Sequence, residues 1–369
     1  MVTGLSRHKK EHALSVSDCR WFLGATLLEA GKGGIARVTR ISAKVLARES
    51  RRFSMLSLLD SEPVIIDGCQ SRLAHGSRLS YAMRAHAAAL THDRFLYDSV
   101  GMARAHGRLP GLRRPYGVWI HGVEVWDSLS AGRKRALREA DFVLSNSRFT
   151  LERFQEIHGP LDNAHVCWLA TEEDEAPTVM PGFDGPPVAL LIGRSDKDNF
   201  RKGHREVVEC WPDVVKAIPN ARLLLAGGGD GLDLLRQLAA SSPARENIEV
   251  LGFVPEADMP SLWKQAQLFV QPSWKEGFGL VYIEAMRYGL PVIASVHDAG
   301  QEVNIDGLTG YNVNLEKPRD LAERIVFLLS NPDKAQAMGQ AGRERWHDNF
   351  RFAAFDRRMK KLLNEEWSE

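Results

Sequence analysis

Short apolar runs alternate with amphipathic stretches along almost the whole chain. In the first half the runs are RWFLGATLL (20–28), RFSMLSLLD (52–60), RFLYDSV (94–100), YGVWIHG (116–122), DFVLSNS (141–147) and AHVCWLA (164–170). In the second half they are PVALLIGR (187–194), ARLLLAGGG (221–229), NIEVLGFV (247–254), AQLFVQPS (266–273), PVIASVHD (291–298) and GYNVNL (310–315). Helical stretches lie between most of them, for example HREVVECWPDVVKAI (204–218). Near-continuously apolar strands alternating with helices predict parallel sheets covered on both faces.

One segment breaks the alternation. TEEDEAPTVMPGFDGPP (171–187) is rich in acid, Pro and Gly and has no period, which marks an interdomain linker. The pattern therefore divides the chain into a polar tail (1–17), a first domain (18–170), the linker (171–187), a second domain (188–349) and a closing segment (350–369). The closing helix, FRFAAFDRRMKKLLNEEW, is amphipathic and basic and is expected to pack back across onto the first domain. The fold class is α/β: two doubly wound, Rossmann-like domains, each with a sheet of about six strands. Ligands of such sheets bind beyond the carboxyl ends of the strands, so a shared site belongs in the cleft between the domains. A hinge at 171–187 predicts that the cleft closes on its ligand and excludes water.

Composition adds three points. The chain has 369 residues, 44% of them hydrophobic, which is enough for two cores. Its net charge of +1 hides a split: residues 1–170 hold 25 Lys and Arg against 16 Asp and Glu, a net of +9. The remainder holds 23 against 31, a net of −8, so the halves face different partners. The basic half, with Arg113–Arg114 and Arg133–Lys134–Arg135, permits docking to an anionic membrane or a lipid diphosphate, the alternative being a solvated basic face. It carries no recognisable nucleic-acid module, so nucleic acid is not an expected partner. Cys19, Cys69, Cys167 and Cys210 are far apart without metal-like spacing and read as reduced thiols of a cytoplasmic protein. There is no 18-residue apolar run and no signal-like N-terminus.

The candidate chemistry clusters at strand ends. In IGRSDKDNFRKGH (192–204), Arg194 and Lys202 flank a polar loop before a helix, a setting suited to a diphosphate; Lys197 and Arg201 are alternatives to Lys202, and a solvated basic loop is the plain alternative. AGGG (226–229) allows close backbone approach or serves a tight turn. Gly252, Phe253 and Val254 lay backbone and an aromatic against a flat base, or Phe253 is a core residue. EGFGLVYIEAMRYGLP (276–291) places Glu276 before Gly277, Phe278, Gly279 and Leu280, whose amides and helix dipole favour an anion. Glu284 lies inside that helix on its core-facing side, where an unpartnered carboxylate costs several kcal/mol. Its partner is either Arg287 at i+3 or the vicinal hydroxyls of a ribose.

Taken together, GR…KG, AGGG, LGFV, EGFGLVYIEAMRYGLPVIAS and AGQEVNIDGLTGY resemble the nucleotide-binding domain of the family-4 glycosyltransferases of GT-B fold, over residues 187–348. The first half is similar more loosely, through GKGGIARVTR (31–40), VWIHGVEVW (118–126) and DFVLSNSRFTLERF (141–154). The resemblance implies transfer of a sugar from a nucleotide-diphosphate sugar to a glycan or lipid-linked acceptor, with retention at the anomeric carbon, no essential metal and no other cofactor. By position, it implies that Arg194 and Lys202 hold the diphosphate and that Glu276 stands at the donor sugar. It places Glu284 on the ribose, Gly277–Leu280 around sugar and phosphate, His121 beside the transferred sugar, and Gly33 and Gly34 against the phosphates. Lys32-Gly33-Gly34 is also similar to a motif of starch and glycogen synthases, but the intervening residue of that motif is missing. A glycoside hydrolase would not need the diphosphate cations. A nucleotide-sugar epimerase and a non-catalytic nucleotide-sugar-binding protein are the remaining alternatives.

Overall fold

The computed structural model describes residues 18–197, 201–317 and 319–365. The expected tail (1–17), part of the stretch between Arg194 and Lys202 (198–200), position 318 and the end of the closing segment (366–369) lie outside the described residues.

The strands are β1 (Arg20–Ala25), β2 (Arg52–Ser57), β3 (Ile65–Ile66), β4 (Cys69–Gln70), β5 (Arg72–Leu73), β6 (Arg94–Tyr97), β7 (Tyr116–Ile120), β8 (Phe142–Ser145) and β9 (Ala164–Val166) in the first lobe. The second lobe has β10 (Val188–Ile192), β11 (Arg222–Ala226), β12 (Ile248–Gly252), β13 (Leu268–Val270), β14 (Val292–Ser295) and β15 (Gly310–Val313). All twelve apolar runs contain a strand, each shorter than its run, because the last residues turn away from the sheet into loops. The first sheet has seven strands in the order β5-β2-β1-β6-β7-β8-β9, and the second has six in the order β12-β11-β10-β13-β14-β15. The pairings within both sheets are parallel. Sequence periodicity did not reveal the short β3–β4 hairpin or the two-residue edge strand β5.

In each sheet the winding direction reverses beside the first strand, between β1 and β6 and between β10 and β13. Loops leaving such a reversal diverge and open a crevice. The two crevices face each other, so the cleft follows from strand order. Helix Gly34–Glu49 leaves the first crevice and buries Val38, Ile41 and Val45 on one face, at helical spacing.

Residues 171–187 form neither helix nor strand and are tied down on both sides. The Thr171 amide donates to the Phe350 carbonyl (2.9 Å), and Glu172 pairs with Arg40. The last helix, Phe352–Glu365, lies against the first lobe. Phe355 stacks on Trp119 of β7, with centroids 6.3 Å apart and planes at 19°. Phe352, Phe355, Met359 and Leu363 are buried in one cluster with Val38, Ile41 and Val45. Lys360 pairs with Glu49 (2.7 Å), and Arg358 donates to the Trp168 carbonyl (2.9 Å). Cys19, Cys69, Cys167 and Cys210 are free thiols. Among the described residues no helix is long and apolar enough to cross a membrane.

Candidate active site

A cavity of about 500 Å³ lies between the lobes. Its second-lobe wall includes Lys202, Glu276, Gly277, Phe278, Leu280 and Glu284. Gly33, Gly34, Arg37, His121, Glu124 and Asn146 form part of the opposite wall. Of the residues singled out in the sequence, Gly33, Gly34, His121, Lys202, Glu276, Gly277, Phe278, Gly279, Leu280 and Glu284 are therefore brought together.

Four others are not among the lining residues. Arg194 has a side chain that is 78% exposed and pairs with Asp196 (3.2 Å). Gly252 closes β12, and Phe253 just after it is 74% exposed, which excludes the core reading of that ring. Val254 packs partly against the core. The glycines after β11 serve backbone packing: a Cβ on Gly227 would lie 2.0 Å from the Gly193 carbonyl oxygen. That contact holds the β10 and β11 loops together, which is a structural use of the AGGG run.

The second-lobe half of the site is built from paired charges. Lys202 Nζ forms an ion pair with Glu276 Oε2, with side chains 28% and 15% exposed. Gln271 Nε2 reaches the same oxygen at 3.4 Å. Charges withdrawn this far from water persist only when paired and hydrogen-bonded. The Glu276 backbone is clamped by the loop after β14. Its amide donates to Asp298 Oδ2 (2.7 Å), and its carbonyl accepts from the Ala299 amide (3.1 Å). Asp298 Oδ1 accepts from the Gly300 amide (2.9 Å). Burial, and then the negative charge of Glu276, push the Asp298 carboxyl up to about 7. Helix Leu280–Arg287 starts immediately after Gly279 and aims its N-terminus into the same region.

Glu284 is not paired with Arg287. Arg287 turns to the linker, to Glu173 Oε2 (2.5 Å) and the Glu175 carbonyl (2.9 Å). The Glu284 carboxylate instead meets Arg37, on the first helix of the opposite lobe. The i+3 spacing that suggested Arg287 was overridden by a partner more than two hundred residues away.

The first-lobe half is organised around His121. His121 follows β7 and is 9% exposed. Its Nε2 donates to the Asp98 carbonyl (2.6 Å), and its ring lies parallel to Trp119 at 6.1 Å. That bond fixes the orientation of the ring. The Asp98 carboxyl below is fully buried; burial raises its pKa, opposed by the Thr26 amide and by His121. It accepts from the Thr26 amide (2.5 Å) and from the hydroxyls of Thr26 and Ser99 (3.0 Å each).

The lobes touch at the motif itself. A Cβ on Gly277 would lie 1.8 Å from the His121 carbonyl oxygen, so this position accepts glycine alone at this approach. The Gly277 carbonyl accepts from Ser147 Oγ (2.7 Å) and Thr150 Oγ1 (3.1 Å) at the start of helix Arg148–His158. The amides of Arg148 and Phe149 donate to the Glu302 carboxylate (2.9 and 3.1 Å). A negative charge on a helix N-terminus is favourable, so these contacts hold the cleft together. Sequence reasoning missed Arg37, Asn146, Gln271 and Asp298. Arg37 carried a usable signal, since it stands three residues beyond Gly34 on the same helix. Among the described residues no group of three or more His, Cys, Asp and Glu is gathered to hold a metal ion.

Comparison with known proteins agrees with this geometry. A family model described as "Glycosyl transferases group 1" matches residues 174–345, the linker and the second lobe. A GDP-mannose-dependent monoacylated alpha-(1-6)-phosphatidylinositol monomannoside mannosyltransferase of Corynebacterium glutamicum is 30% identical over 268 residues, 67% of this chain and 69% of that protein. A GDP-mannose-dependent alpha-(1-6)-phosphatidylinositol monomannoside mannosyltransferase of Mycolicibacterium smegmatis is 28% identical over 264 residues, covering 66% and 68%. Among solved structures, sucrose-phosphate synthase from Thermosynechococcus elongatus superposes with a TM-score of 0.77 at 21% identity, over 94% of this chain and 98% of that one. Anabaena HepE in complex with UDP-glucose gives 0.73 at 18%, over 94% and 99%. These two matches bear on the fold and place both lobes in the GT-B architecture. With the mannosyltransferase relative aligned over two thirds of both sequences and the family model lying on the linker and second lobe, the chain belongs to the group 1 glycosyl transferases.

Proposed function

We propose that the chain moves a hexosyl group from a nucleotide-diphosphate sugar to a glycan or lipid-linked acceptor, with retention at the anomeric carbon and without an essential metal. The observation that carries this reading is the Lys202–Glu276 pair, set at a strand end of the second lobe and facing His121 across the cavity. The leaving nucleoside diphosphate gains negative charge as the glycosidic bond breaks. Lys202 and the N-terminus of helix Leu280–Arg287 stand where that charge develops. Glu276 then faces the positive charge of the sugar ring.

Glu276 Oε2 already accepts from Lys202 and Gln271, so that oxygen is engaged, which favours an electrostatic role over a covalent one. On this reading the acceptor oxygen bonds to the anomeric carbon from the leaving-group side. The carbon–phosphate oxygen bond breaks, and the acceptor proton passes to the departing phosphate. His121 Nδ1 accepts from a sugar hydroxyl, and contact of the lobes keeps water from the anomeric carbon.

The relatives named for GDP-mannose and phosphatidylinositol mannosides make GDP-mannose and a lipid-linked acceptor the first assay, with UDP-glucose as the alternative donor. The anomeric configuration of the product, read by NMR, tests retention; an inverted product overturns it. Activity in excess EDTA tests metal independence, and loss of turnover that is restored by a divalent cation overturns it.

The proposal extends to a cytoplasmic protein that docks on the inner face of the membrane. In its favour, helix Arg78–Ala88 exposes Leu79 (70%) and Met83 (59%) at i and i+4, beside the exposed Arg78 and Arg84. Flotation with liposomes containing anionic lipid should carry the protein, and Leu79→Glu with Met83→Glu should leave it behind. Absence of binding by the unaltered chain overturns the docking.

A further inference from the structure

The sequence left Glu284 with a choice between an intrahelical ion pair and a ribose. The structure gives it a third partner. Arg37 and Glu284 both line the cavity, and they meet across it: Arg37 from helix Gly34–Glu49, Glu284 from helix Leu280–Arg287. Their side chains are 26% and 22% exposed, so water screens the pair only in part. Arg37 is held from behind, its Nε lying 3.5 Å from Glu172 Oε1. Glu172 in turn pairs with Arg40, one turn further along the same helix, whose Nη1 also donates to the carbonyls of Leu28 (3.2 Å) and Glu29 (2.9 Å). Arg40, Glu172 and Arg37 thus form a braced line from the loop after β1 to the Glu284 carboxylate.

We propose that Arg37 is a positioning residue for nucleotide recognition, fixing the Glu284 carboxylate across the cleft so that the ribose diol is read only when the two lobes are in contact. This rests on the reading that Glu284 binds the ribose. A carboxylate accepts several hydrogen bonds through its two oxygens, so one guanidinium leaves capacity for vicinal hydroxyls. Without Arg37, Glu284 is free to rotate, and much of its preference for a diol is lost with its orientation. Placing this cation on the opposite lobe couples two events. A nucleotide bound to the second lobe alone lacks part of its ribose contact, and closing the cleft supplies it.

The test compares ribose and deoxyribose ligands by titration calorimetry. GDP and UDP are measured first, and the tighter binder is then compared with its 2′,3′-dideoxy form. The unaltered chain should prefer the diol by about tenfold or more, the equivalent of one to two good hydrogen bonds. In Arg37→Met, which keeps the apolar stem, that ratio should fall to within about threefold of unity, as it should in Glu284→Gln. The double variant should fall no further, since the two residues act as one unit. Arg37→Lys, which keeps charge but loses the fork, should lie between and serves if the methionine variant does not fold. A purely structural role would change affinity for both ligands equally and leave the ratio intact. A ratio in Arg37→Met or Arg37→Lys equal to that of the unaltered chain overturns the proposal while leaving Glu284 on the ribose. No preference in the unaltered chain overturns the ribose reading and, with it, the role of Arg37.

Discussion

The two lobes share one architecture and present opposite chemistry to the cleft. At the strand ends of the second lobe Lys202 and Glu276 are charged and pair within the lobe, with Asp298 behind them on the Glu276 amide. At the strand ends of the first lobe stand a glycine loop, an imidazole fixed on a carbonyl and a fully buried Asp98, while the lobe's cation Arg37 pairs outward, across the cleft. Parallel winding dictates where ligands bind but not what the loops carry. The division suits the proposed reaction: the second lobe handles the charge that appears on the leaving group, and the first supplies shape, closure and room for an acceptor.

The widest gap between the lobes should appear in turnover. Glu276→Gln and Lys202→Ala should each lower kcat by about a thousandfold, the scale of removing charge stabilisation from a transition state. Steady-state kinetics on variants that retain their circular dichroism spectra checks this. If His121→Ala costs as much, the first lobe takes part in the chemistry and the division fails. Next is Gly277→Ala, whose methyl would meet the His121 carbonyl. It should hold the lobes apart and lower kcat/KM by about a hundredfold, with a larger radius of gyration in small-angle scattering. An unchanged radius with full activity would mean that the contact is not needed.

Arg194 sharpens the comparison within one lobe. Its exposed side chain predicts a smaller effect than that of Lys202, about tenfold for Arg194→Ala and mostly in KM. A loss equal to that of Lys202→Ala would show that the Arg194 side chain reaches the donor.

The smallest effect on activity, and the largest on pH response, belongs to Asp298. Its carboxyl titrates near 4 in the unfolded chain and at about 7 in the fold. The folded state therefore favours the protonated acid. The stability this provides is complete below about pH 4 and is lost as pH rises to about 7, on the order of a few kcal/mol. Denaturation at pH 5 and pH 8 should show the decline, and Asp298→Asn should flatten it. Glu276→Gln should weaken the decline too, because it removes a negative neighbour.

What the sequence disclosed and what it hid divide along a physical line. Strands such as LLLA in β11 and VIAS in β14 were legible because burial on both faces demands continuous apolar residues. The two-residue strands β3 to β5 are too short to impose a period. In the site, Glu276 and Glu284 were visible as carboxylates out of place near a core. Their partners were less so. Arg37 lies in a quoted stretch, but its target is set by how two lobes meet, which no local spacing encodes. Asp298 follows β14 at an ordinary strand end, and only the fold shows it beneath the Glu276 amide. Arg194 and Phe253 show the converse: residues of suitable type at suitable positions that the folded loops leave outside the cavity.

The returning helix has a consequence for biogenesis. Phe352, Phe355, Met359 and Leu363 cover an apolar flank made by residues synthesised some three hundred positions earlier. During translation that flank stays uncovered until the returning helix has been made, so the lobe made first is completed only after the second. An isolated amino-terminal fragment should therefore aggregate unless the terminal segment is supplied to it, as a fused or separate peptide.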